Sequence, residues 1–107
     1  MEIDMDERKK GRLLARIEGQ LAFVDARPHA AERHERRIDD GLMQLRRLLA
    51  GREEGARFER ITNLVKRSRD STAPASTRAH WRMLARADCL VWQLRLRQER
   101  PAHDAAA

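Results

Sequence analysis

WRMLARADCLVWQLRL, residues 81–96, carries apolar side chains around most of a helix. At about 100° per residue, Met83, Leu84, Ala87, Leu90, Val91 and Leu94 cover one side. Trp81, Ala85, Trp92 and Leu96 widen that arc. What stays polar is mainly a narrow strip of Arg82, Arg86, Gln93 and Arg97. Such a helix is either central in a bundle or buried in a second interface. Asp88 and Arg95 fall inside the apolar arc, and a lone buried charge is costly, so each needs a partner.

Working outward, Asp70 to Thr77 reads DSTAPAST, a loop of small polar residues around one proline. Ser76 or Thr77 would cap the helix that follows, which runs to about Arg100, and Pro101 would stop it. Before the loop, Phe58, Ile61, Leu64 and Val65 share one side of a helix predicted over residues 53–68. Ala31, Ile38, Leu42, Leu45 and Leu49 form the apolar line of a helix over residues 28–50. Gly51 suits the position just past its end. These two segments could also be one long helix broken near Gly51. Leu14, Ile17, Leu21 and Val24 make a heptad-like stripe on a first helix over residues 4–26, with Asp4, Asp6 and Glu7 at its positive end. Pro28 then marks a tight connection, since proline is tolerated at a first helical turn and disfavoured inside.

The expected fold is therefore all-α: a small bundle of about four helices whose last two form a basic pair. Composition agrees. Only 4% of the 107 residues are aromatic, so the core must be mostly aliphatic, which favours helices over sheets. One domain over residues 1–100 is expected, with 101–107 as a disordered tail.

The formal charge of +6 is unevenly placed. Residues 1–50 hold eleven Lys/Arg against ten Asp/Glu, and residues 51–107 hold twelve against seven. A basic second half suggests an acidic partner such as nucleic acid. Arg60, Asn63, Lys66 and Arg67 cluster on the third helix, where Arg60, Asn63 and Arg67 line a strip opposite Phe58, Ile61 and Val65. Arg69 and Arg78 flank the polar loop and could join this strip to Arg82, Arg86 and Arg97. Guanidinium groups grip phosphate through a planar fork, and in the second half carboxylates are too few to neutralise them. In the first half, pairs such as Glu32–Arg36 read instead as a solvated, mixed-sign face.

Other chemistry has little support. His29 and His34 are five apart, about 140° round a helix, so no shared metal is expected. Cys89 is the only cysteine, lies on the apolar helix and reads as a packed thiol, not a nucleophile. No nucleotide-binding glycine loop and no nucleophile elbow occur. The expectation is a non-enzymatic protein with no cofactor. No secretory signal or membrane-length apolar run is present, so a cytoplasmic location is expected.

Two functions fit. One is a helical accessory subunit that contacts a nucleic-acid backbone without reading sequence, while helix 81–96 docks on a neighbour. In size and helical character this is similar to the small subunits of CRISPR effector complexes, which line the guide or target strand. That is a fold-level analogy, and no motif carries it. The other is a protein-binding module without nucleic-acid contact: a phage- or plasmid-encoded inhibitor, an adaptor or a homodimeric bundle.

Overall fold

The computed structural model describes residues 3–98, and they form four α-helices. Helix α1 spans Ile3–Ala26, α2 Ala31–Arg46, α3 Gly51–Ser68 and α4 Ala75–Gln98. A 3₁₀ turn over Pro28–Ala30 joins the first two, with the proline at its start, where its missing N–H costs nothing. The expected tail, residues 101–107, and the expected last turn to Arg100 lie outside the described residues.

The helices run alternately up and down. Arg69, just past the end of α3, reaches Glu35 and Asp39 near the start of α2, so those two helices are antiparallel. They are not one broken helix. Arg82 and Arg86 near the start of α4 meet Asp25 and Glu18 towards the end of α1, so that pair is antiparallel too. Lys10 near the start of α1 meets Glu54 near the start of α3, which makes that diagonal pair parallel. Helix α1 packs on α2 and α4, and α3 packs on α4.

The core is a single cluster. It holds Leu14, Ile17, Leu21 and Val24 of α1; Ile38, Leu42 and Leu45 of α2; Ile61, Leu64 and Val65 of α3; and Ala85, Cys89, Trp92 and Leu96 of α4. Aliphatic stripes at helical spacing build most of it, as the sequence predicts. Gly41 allows α2 to lie close to α1, since a Cβ there would come within 2.9 Å of the Ile17 side chain.

Three boundaries differ from expectation. Helix α2 ends at Arg46, not at Ala50. Its last carbonyls, on Gln44, Leu45 and Arg46, accept from Arg47, Leu48 and Leu49, tightening the final turn before the chain reverses. Gly51 does not follow α2 but opens α3, at φ 78°, a left-handed conformation that favours glycine. Glu54 reaches back to accept the Ala50 N–H at 2.8 Å, which fixes that start. The fourth helix also starts earlier than expected, at Ala75, so Ser76 and Thr77 lie inside it and do not cap it; the Pro74 carbonyl accepts its first bond, from the Arg78 N–H.

Candidate functional site

Much of the polar strip of α4 is turned from water, with Arg97 the exposed exception. It lies along α1. Arg82 is bound through Nε to Asp25 at 2.8 Å, with its Nη1 3.4 Å from the Ser68 carbonyl, and its side chain is only 12% exposed. Arg86 Nε donates to Glu18 at 2.7 Å. Gln93 donates its side-chain amide to the Cys89 carbonyl one turn back. Much of this strip therefore staples α4 to α1.

The remaining candidates separate into three groups. Arg60 contacts Asp88 of α4 at 2.8 Å, an ion contact without hydrogen-bond alignment, and its side chain stays 70% exposed. That contact answers the need of Asp88 for a partner, whereas Arg95 lies exposed. Arg60, Asn63 and Arg67 do share one strip: with Ala56, Glu59 and Leu64 they line a shallow hollow of about 470 Å³. Lys66 and Arg67 are exposed and have no carboxylate partner among the described residues.

The second group is Arg69, Arg78 and Arg82, which line a hollow at one end of the bundle together with Asp25 and Glu35. Arg69 is held by Glu35 and Asp39 at 2.9 and 2.8 Å. Arg78 is half-buried, and its Nε has no hydrogen-bond partner. The third is Arg97, exposed on the last turns of α4 and remote in sequence from the residues beside it.

Four of the nine basic-patch candidates are thus matched to carboxylates: Arg60, Arg69, Arg82 and Arg86. The expectation that second-half arginines lack neutralising partners is corrected here. The local carboxylate count was right, but most of the partners come from the first half, through Glu18, Asp25, Glu35 and Asp39. Antiparallel packing brings them across, and no local count of charge detects that.

The outward side of α4 is apolar. Met83, Leu90, Val91 and Leu94 are 53%, 46%, 47% and 52% exposed, and Ala87 is exposed between them. Met83, Ala87, Leu90 and Leu94 follow a 4, 3, 4 spacing, a straight stripe about 16 Å long. The side expected to be the main apolar face is therefore largely the unburied one. Ala85, Cys89, Trp92 and Leu96 enter the core, with Trp81 and Leu84 partly buried against it.

The titratable residues inside the bundle are structural. Cys89 is buried, and desolvation, helped by the nearby Asp88 and Glu18 charges, pushes its thiol up to about 12. A thiol held that far from ionisation is a poor nucleophile. His34 is buried on α2, where Nδ1 donates to Gln20 Oε1 at 2.7 Å. Desolvation and the arginines around it, Arg37 first, lower its pKa. His29 is exposed. Among the described residues no group of three or more His, Cys, Asp or Glu is placed to hold a metal ion. No helix among them is long and apolar enough to cross a membrane.

Comparison with protein-family models, with curated proteins and with solved structures finds no match to this chain.

Proposed function

We propose that the chain is a non-enzymatic helical association module that docks on a protein partner through the outward face of α4. The observation that carries this reading is the stripe of Met83, Ala87, Leu90, Val91 and Leu94. Four large apolar side chains at about half exposure on one line lose hydration cost when covered, and a helix lies naturally along such a line.

The partner's chemistry follows from the borders of the stripe. Arg95, Arg97 and His80 flank it, and the only carboxylate on α4, Asp88, is turned to Arg60. A second copy would set one basic rim against another. An amphipathic helix with Asp or Glu beside its apolar line would complement both features.

The test is parallel retention from an extract of the native cell by the parent protein and by Leu90→Glu/Leu94→Glu, with sedimentation of each. Both substituted sites are exposed, so helicity should be unchanged. A protein held by the parent and lost by the variant, with the parent monomeric alone, is the expected result. Identical retention by the two proteins would overturn the reading. A parent dimer split by the variant would replace the acidic helix with a second copy.

A second reading has its own observation. Asn63, Lys66 and Arg67 present an exposed, basic edge of α3 with no carboxylate partner among the described residues. In that reading the module is an accessory subunit of a nucleoprotein assembly, comparable in size and helical character with the small subunits of CRISPR effector complexes. It would touch the phosphate backbone through α3 and its neighbour through α4. Reversal of Lys66 and Arg67 to Glu should then abolish nucleic-acid retention in the assembly while helicity stays intact.

A further inference from the structure

A hollow of about 530 Å³ runs between the first half of α1 and the last turns of α4. Glu7, Arg8, Gly11, Arg12 and Ala15 line it from α1, and Gln93, Leu96 and Arg97 from α4. Three guanidinium groups therefore border one groove. Arg8, Arg12 and Arg97 are all exposed, and none has a carboxylate partner among the described residues. This sets them apart from Arg82 and Arg86 on the same α1–α4 seam, which are matched to Asp25 and Glu18.

The one carboxylate in the groove is already engaged. Glu7 lies 3.1 Å from Lys10 Nζ, a nearly buried ammonium that also holds Glu54. The floor is open. Gly11 sits in mid-helix, where it costs roughly 1 kcal/mol against alanine, yet a Cβ there would meet nothing within 4 Å. The space above it belongs to the groove and not to helix packing. Arg8 and Arg12 are one turn apart, a rise of about 6 Å, so their forks can engage neighbouring groups on an extended polyanion.

We infer that this groove binds the phosphodiester backbone of a nucleic-acid strand. A protein segment fits it less well. Gly11 has no side chain, Ala15 is small and Leu96 is only 6% exposed, so an incoming peptide would bury little apolar surface. Phosphate binding needs none, because release of condensed counterions drives it. No aromatic side chain lines the groove, so bases are not stacked and sequence is not read. The site shares Arg97 with the flank of the α4 docking face and is otherwise separate from it.

The experiment measures fluorescence anisotropy of 20-nucleotide oligo(U), oligo(dT) and a DNA duplex, titrated with the full chain over a range of salt. Four variants are compared with the parent. Arg8→Glu/Arg12→Glu should weaken binding about tenfold or more at low salt and flatten the log–log salt slope by about 0.7 for each single-strand phosphate left unneutralised. Gly11→Leu fills the groove without changing charge. It should weaken binding while raising the melting temperature, a combination that a folding defect cannot produce. Arg33→Glu/Arg37→Glu makes the same charge change on exposed α2 positions and should retain most of the affinity. Leu90→Ser/Leu94→Ser, which strips the docking face without adding charge beside Arg97, should also retain it, separating this site from that face. Equal losses in the α1 and α2 reversals would overturn the inference, as would parental affinity in Gly11→Leu or no binding by the parent at low salt. Displacement of the oligonucleotide by polyglutamate at equal charge concentration would point to an acidic protein instead, and would also overturn it.

Discussion

The two sides of α4 are built from similar residues and meet opposite fates. Ala85, Cys89, Trp92 and Leu96 are buried, whereas Met83, Leu90, Val91 and Leu94 stand about half exposed. Each side has helical spacing, and each alone would make a good core stripe. The difference teaches that hydrophobic pattern marks which residues can be buried, not which are. Helices α1 and α3 cover one side, and no helix among the described residues covers the other.

Stability should separate the two sides most sharply. Trp92→Ala removes a side chain only 2% exposed and should lower stability by about 3–5 kcal/mol. Leu94→Ala on the other side should cost less than about 1 kcal/mol, because its loss opens no cavity. Chemical denaturation of both reads the contrast directly, and similar losses would show the outer side to be packed in the isolated chain.

Thiol chemistry sharpens the same contrast. Burial raises Cys89 from 9.0 to about 12. Its thiolate fraction at pH 8 should be about a thousandfold lower than that of a cysteine placed at Ala87, and alkylation should follow. Reaction of Cys89 at an ordinary rate in the native protein would break the comparison. The same shift sets a pH dependence. The folded thiol ionises later than the unfolded one, so this contribution is whole below about pH 9 and is lost as pH rises through about 12. The melting temperature of a Cys89→Ala variant should fall less over that interval than that of the parent.

The flank of α4 should give effects smaller than that of Trp92, graded by exposure. Arg82→Met breaks a pair in which the arginine is nearly buried and Asp25 is partly exposed, and should cost about 1–3 kcal/mol. Arg86→Met breaks a more exposed pair with Glu18 and should cost about 0.5–1 kcal/mol. Urea titrations at low and high salt should show this order, with Arg86 the more sensitive to salt.

Much of the fold was legible because aliphatic residues recur at 3 and 4 along α1, α2 and α3, a signal that a single helix face explains. The strip of Arg60, Asn63 and Arg67 was legible for the same reason. The state of its charges was not. Arg82 and Asp25 are 57 residues apart, Arg86 and Glu18 are 68, and only the antiparallel α1–α4 seam brings them together. The α1–α4 groove was missed because residues 1–50 nearly balance in charge. Arg8 and Arg12 disappear into that balance until their positions beside Arg97 are seen.

By itself the sequence determined the helices, their apolar stripes and the pairing demand of Asp88. Those depend on neighbours within one or two turns, which periodicity and propensity report. Tertiary structure alone decided which apolar side of α4 would be covered, which arginines would be neutralised and where a groove would open. Burial and ion pairing act between groups close in space, and in this bundle three of the four matched arginines take their carboxylates from the opposite half of the chain.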